Sequence, residues 1–238
     1  FRAPHHTITA KALCGGGTIP GPGEISLAHC GVLFLDELPE FHRETLEVLR
    51  QPLENGSMQI HRCGYTYDFP AQFMLVAAMN PCPCGFYPNL SRCHCSYTAV
   101  RRYQEKISMP LLDRIDMMIE VSALSYPQWN QTTQEMSSAQ MKKKVERVRE
   151  IQKERRKGQS FLFNSRMGNQ ELEEYCALGT QEKKLMKKAF DELKMSARGY
   201  TKILKVARTI ADLEEKEWIQ TEHLQEALCY RTGSGIYQ

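Results

Sequence analysis

Nowhere in these 238 residues is there a G-x-x-x-x-G-K-[S/T] run, the loop whose backbone N–H groups and Lys hold the β- and γ-phosphates of a nucleotide. Its absence excludes a complete nucleotide site of that kind within the sequence. Long apolar runs are missing too, since none approaches the roughly 18 residues needed to span a bilayer. The opening residues, Phe1 to His6, hold no signal-peptide core, so a cytoplasmic location with no membrane partner is expected. They contain neither Met nor a domain-opening pattern, and the sequence reads as an excised piece of a longer protein. A formal net charge of +3 is too small to announce a nucleic-acid binder, a role that only a local concentration of charge can signal. Disulfide-scaffold spacing is also lacking, because four of the nine cysteines crowd between Cys82 and Cys95 while the others scatter.

What is present suits one large globular domain, or a domain with a smaller companion, at 42% hydrophobic and 25% charged residues. Gly31-Val32-Leu33-Phe34-Leu35 runs straight into Asp36-Glu37, the pattern of a buried parallel strand ending at the carboxyl edge of an α/β sheet. Ligand chemistry gathers at that edge. Asp36 is read as the acid that holds Mg²⁺, usually through water, and Glu37 as the residue that activates water toward a γ-phosphate. An ordinary strand followed by a solvated acidic turn is the alternative.

Between Thr7 and His29 the run Gly15-Gly16-Gly17 and the series Pro20-Gly21-Pro22-Gly23 predict a surface loop, with a short helical turn before it. After Pro39 a helix is expected, with Leu46, Leu49 and Leu53 on one face and Asn55-Gly56 as its end. Alternation through Met58, Ile60, Tyr65, Tyr67 and Phe69 about Arg62-Cys63-Gly64 predicts a β-hairpin. The run Phe73 to Ala78 predicts a second core strand. If it neighbours the first, Asn80 joins Asp36 and Glu37, where an amide can bond a γ-phosphate or orient attacking water.

The segments Phe1-Arg-Ala-Pro-His-His6, Pro22-Gly-Glu-Ile-Ser-Leu-Ala-His29, Gly31 to Phe41, Leu75-Val-Ala-Ala-Met-Asn-Pro81, Leu111-Leu-Asp-Arg-Ile-Asp116 and Ser196-Ala-Arg198 resemble the magnesium-chelatase-like AAA+ ATPases of the ComM/YifB competence-protein group. The resemblance runs through nearly the whole chain. It implies an α/β fold: a partial AAA+ P-loop NTPase core, with a parallel sheet, helices and a pre-sensor β-hairpin at Met58 to Phe69, followed by an α-helical lid. It further implies a Walker B strand at Asp36-Glu37, a sensor-1 residue at Asn80, an arginine finger at Arg114 and a sensor-2 residue at Arg198. ATP and Mg²⁺ are the implied cofactors. The implied whole is a homo-hexameric, ATP-driven DNA helicase acting in branch migration during recombination or natural transformation, with the phosphate loop lying upstream of Phe1. The 238 residues alone are then expected to be inactive as an ATPase. Two rivals stay open: a chelatase-type motor driving metal insertion through a partner, and a zinc-stapled interaction module with no turnover.

Cys82-Pro-Cys84 and Cys93-His-Cys95, separated by eight residues, offer four thiolates for a structural, tetrahedral Zn²⁺. His94 can replace a thiol, and four reduced cysteines are the alternative. Arg114 lies before an expected strand from Ile115 to Val121, where it either reaches across a subunit boundary to a γ-phosphate or pairs with Asp113 or Asp116. Residues 1–125 are expected to form the core with the cysteine loop at 82–95, and residues 126–160 a linker and basic helix. In that helix Met141, Val145 and Val148 form an apolar stripe, while residues 142–157 hold nine basic and three acidic side chains, a solvated face or a phosphate-binding one. Residues 161–238 are read as the helical lid, with stripes at Leu185, Ala189, Phe190 and Leu193 and at Ile203 to Leu213. Ser196 is expected to cap the helix bearing Arg198, and Thr221 the last one. At the hairpin tip His61 and Arg62 are read as a cationic collar that holds DNA phosphates in a ring of six chains, or else as exposed turn charges.

Overall fold

The computed structural model describes residues 1–62, 64–122, 126, 136–155 and 163–232. The chain divides into two compact units, Phe1–Ile115 and Asp116–Gly235.

In the first unit Thr9 caps helix α1 (Ala10–Cys14) by accepting from the Ala12 N–H. The Gly- and Pro-rich stretch that follows is not an open loop. Gly15–Gly16 (β1) pairs antiparallel with Gly21–Pro22 (β2), and α2 (Glu24–Leu27) comes next. Only glycine allows this approach, because a Cβ on Gly15 would stand 2.3 Å from the Gly21 carbonyl oxygen and one on Gly23 2.2 Å from the Gly15 nitrogen.

Strands β3 (Val32–Leu35) and, further on, β6 (Met74–Ala77) are parallel, with Val32 opposite Met74 and Leu35 opposite Ala77. Arg2 bridges Leu33 on the other side of β3. Leu33 and Leu35 are fully buried, whereas Met74 and Val76 are exposed. The expectation of a second core strand is corrected to that extent: among the described residues this face of β6 lies outside the core. The single helix expected after Pro39 is broken into a 3₁₀ turn (Leu38–Glu40), α3 (Arg43–Glu47) and α4 (Arg50–Asn55). Pro52 explains the break between α3 and α4, since it lacks the N–H that would reach the Val48 carbonyl and its ring crowds that turn. Gly56, at φ 72°, ends α4 in the left-handed conformation read from Asn55-Gly56.

The hairpin forms as expected from β4 (Ser57–Arg62) and β5 (Tyr65–Pro70). Cys63 lies outside the described residues. Helices α5 (Tyr97–Gln104) and α6 (Met109–Leu112) complete the unit, capped by the Ser96 and Ser108 hydroxyls.

The second unit opens on residues 116–122, which form no strand. The Met118 N–H instead donates to the Tyr230 carbonyl at 2.7 Å, and Ile119 and Val121 are exposed. Most of the stretch read as a linker lies outside the described residues. Helix α7 (Ser138–Arg155) buries only Val148 and Gln152, and the Met141 and Val145 end of its expected stripe faces solvent. After a 3₁₀ turn (Asn164–Arg166) come α8 (Asn169–Tyr175), α9 (Thr180–Glu192), α10 (Ala197–Leu213) and α11 (Thr221–Thr232). Ile203, Ala207, Met186 and Leu224 lie at the centre of their core. In α9 the buried pair is Met186 and Ala189, while Phe190 and Leu193 of the expected stripe are exposed.

Polar contacts fix the rest of the bundle. The buried Asp212 carboxylate accepts from Arg155, from Arg208 (Nε at 3.1 Å) and from Asn164 (Nδ2 at 2.8 Å). Arg208 also donates to the carbonyls of Lys216 and Glu217, which joins the end of α10 to the following turn. Thr221 is the first residue of α11 and not its cap; its hydroxyl donates to Glu182, and the buried His223 ring accepts the Gln220 N–H at 2.9 Å.

Candidate active site

Because β3 and β6 run parallel and in register, they deliver Asp36-Glu37 and the Asn80 segment to one sheet edge. The ladder continues past the strands, with the Ala78 N–H donating to Leu35 and the Leu38 N–H to Ala78. Asp36, Glu37 and Asn80 are all exposed there. The Asp36 Oδ1 accepts the Glu37 N–H at 2.8 Å, and Glu37 adopts φ 52°, ψ 46°, an uncommon left-handed conformation for a side-chain-bearing residue.

A residue to which the sequence assigned no role completes this corner. His6 Nδ1 lies 3.0 Å from Glu37 Oε2, and the His6 ring meets the buried Phe41 edge-on. The contact requires a proton on Nδ1, so that the imidazole donates and holds one carboxylate oxygen. The contact fixes the orientation of the Glu37 side chain. The only signal for His6 was the Pro-His-His series itself, because its contact with Glu37 spans thirty-one positions of sequence.

Helix α5 flanks the same edge. Burial pushes the Tyr103 phenol up, with Glu40 and Glu37 adding to the effect. Lys106 pairs with Glu40 at 3.3 Å, and Gln104 Nε2 donates to the Pro81 carbonyl at 3.1 Å, next to Asn80. Asp36 supplies hard carboxylate oxygen of the kind Mg²⁺ prefers.

The four cysteines of the loop come together. Sγ of Cys82 lies 3.4 Å from that of Cys84 and 3.8 Å from that of Cys93, and all four sulfurs fall within 4.8 Å of one another. Tetrahedral zinc with Zn–S bonds of about 2.3 Å needs sulfurs about 3.8 Å apart, so the set fits the metal. The Phe86 backbone N–H draws the Cys84 thiol down, while burial and the neighbouring sulfurs push the Cys93 and Cys95 thiols up. His94 is exposed and outside the sulfur group. This loop continues directly from Asn80, and a Cβ on Gly85 would stand 3.9 Å from the Asn80 carboxamide.

Among the other expected residues, Arg114 has partners of its own. The Arg114 guanidinium is mostly buried, bonded to Glu54, to the Arg50 carbonyl at 3.2 Å and to the Pro110 carbonyl at 2.7 Å. Its carboxylate partner is thus Glu54, and neither Asp113 nor Asp116 takes that place. Arg198 belongs to the second unit, exposed in the first turn of α10 behind Ser196, whose hydroxyl accepts the Gly199 N–H at 3.0 Å as the capping pattern predicted. His61 and Arg62 occupy adjacent positions of β4 and therefore opposite faces of the hairpin.

A parallel pair presenting Asp-Glu and an Asn-bearing segment at one edge, followed by a helical unit, is the architecture of a partial AAA+ core with its helical domain. The chain belongs to the magnesium chelatase family: the family described as "Magnesium chelatase, subunit ChlI" matches residues 1–129, and its companion "Magnesium chelatase, subunit ChlI C-terminal" matches residues 135–231. It is 48% identical to Competence protein ComM of Haemophilus influenzae over 239 aligned residues, which cover 100% of this chain and 46% of that protein. It is 43% identical to the uncharacterized protein YifB of Salmonella typhimurium and of Escherichia coli, over 97% of this chain and 45% of each of theirs. The chain spans about half the length of these relatives. Among the described residues no helix is long and apolar enough to cross a membrane.

Proposed function

We propose that this chain supplies the water-activating and sensing half of an Mg²⁺-dependent ATPase that assembles as a homo-hexamer and moves DNA, as a helicase acting in branch migration. The observation that carries the ATPase reading is the parallel register of β3 and β6, which brings Asp36, Glu37 and the Asn80 segment to one edge, with His6 holding Glu37. Glu37 accepts the proton of the attacking water, and Asn80 bonds the γ-phosphate or that water. Asp36 would hold Mg²⁺, which neutralises phosphate charge when bound. Arg114 acts as a finger by exchanging Glu54 for a neighbouring subunit's γ-phosphate, and Arg198 serves as the second sensor. The cysteine set would hold a structural Zn²⁺, a cross-link with no role in turnover.

DNA as the cargo rests on the family resemblance, on the relative named a competence protein and on the basic hairpin tip. A chelatase-type role is favoured by the description of the matching family, and it predicts dependence on a partner that accepts metal. ATPase assays of the full-length protein with and without forked DNA separate the two. DNA stimulation is expected, and indifference to every DNA structure would sink the DNA-motor reading. In the same assay Glu37→Gln keeps nucleotide binding and loses turnover, since the amide preserves shape without attracting a proton. The 238 residues alone are expected to bind ATP weakly or not at all in calorimetry, because the phosphate loop is absent from them.

A further inference from the structure

The antiparallel register sorts the hairpin side chains onto two faces. Met58 opposite Phe69, Ile60 opposite Tyr67 and Arg62 opposite Tyr65 share one face, while Gln59 opposite Asp68 and His61 opposite Thr66 share the other. Exposure on the first face rises along the strands. Met58 is 3% exposed, Tyr67 38% and Tyr65 69%. The apolar face thus starts in the core and leaves it as an aromatic surface ending beside a guanidinium. On the second face His61 Nδ1 and Thr66 Oγ1 are 2.9 Å apart, which engages the histidine locally. Among the described residues nothing lies within 4 Å of a Cβ built on Gly64, and the neighbouring Tyr65 is exposed.

Two tyrosines on successive pairs of one face, with Arg62 directly across from the outer one, offer more than a phosphate contact. Rings of this kind stack on any base, and a neighbouring cation holds the backbone between stacked bases. Duplex DNA hides its base faces, so the occupant that fits is a single strand. We propose that the Tyr65 and Tyr67 face of the hairpin is a base-stacking platform for single-stranded DNA, with Arg62 as its phosphate anchor and His61 on the opposite face outside it. This rests on the DNA reading above and adds to it that the strand is gripped through its bases as well as its charge.

The test is fluorescence anisotropy of the full-length protein with a labelled oligothymidine and with an abasic strand of the same length, over a series of salt concentrations. Oligothymidine is expected to bind at least about tenfold more tightly than the abasic strand. Tyr65→Ala with Tyr67→Ala should erase that preference while leaving the salt slope unchanged, and Tyr65→Phe with Tyr67→Phe should keep the preference, because stacking needs the ring and not the hydroxyl. Arg62→Ala should weaken both strands alike and lower the salt slope by roughly one contact. Equal affinity of the unaltered protein for the two strands would overturn the stacking platform while leaving phosphate-based DNA binding intact. No binding of either strand, or of forked DNA, would overturn the platform together with the reading it rests on.

Discussion

Glu37 occupies a left-handed conformation that costs a residue with a side chain about 1–2 kcal/mol. Bonds around it offset that cost: Asp36 accepts its N–H, His6 holds its carboxylate, and its carbonyl accepts the Glu40 N–H at 2.7 Å. His6→Ala should therefore release the carboxylate and lower kcat of the full-length protein by roughly tenfold to hundredfold, the range expected when a catalytic group loses its orientation. Nucleotide affinity should stay within about twofold, and His6→Asn, which restores a donor, should recover part of the rate. An unchanged kcat in His6→Ala would reduce the histidine to a packing partner of Phe41. A second residue-scale outcome concerns Asp212, buried among Arg155, Arg208 and Asn164. Asp212→Ala leaves the Arg208 charge buried without its carboxylate and should destabilise the helical unit by about 3–5 kcal/mol in urea unfolding.

Among the elements, the cysteine loop gives the sharpest expectation. Elemental analysis of protein purified without chelator should find about one zinc per chain, and Cys82→Ser should lose most of it. Because Gly85 of that loop lies against Asn80, metal removal should also alter Asn80 amide signals in NMR spectra, a readout independent of activity. The hairpin, the first strand and the clustering of the thiols were legible in the sequence because each rests on local alternation or on close spacing. The broken helix at Pro52 was legible in principle, but its leucine periodicity overrode the proline. Packing of the glycine stretch and the contact of His6 with Glu37 were not legible, since both depend on which distant backbones approach one another. Arg114 illustrates the same limit: its local neighbours are Asp113 and Asp116, yet the chain folds so that Glu54 reaches it first.

At the scale of the whole molecule, the chain divides into two compact units, and among the described residues the thiol set belongs to the first. Calorimetry should accordingly resolve two unfolding transitions, and a chelator should lower the midpoint of one and leave the other in place. A common shift of both would mean that the units unfold together. Within the second unit, α7 is held to the bundle chiefly by charge. Arg155 meets Asp212, Arg147 meets Glu215 at an exposed site, and Val148 is its only buried apolar side chain. Its first nine residues, Ser138 to Glu146, with Met141 and Val145 about half exposed, have little to hold them and form too short a helix to persist unaided. Amide hydrogens there should exchange with solvent far sooner than those near Arg155, and added salt should widen the gap by screening Arg147 while sparing the buried carboxylate. Held at Arg155 by a buried carboxylate, the helix is expected to open from its other end.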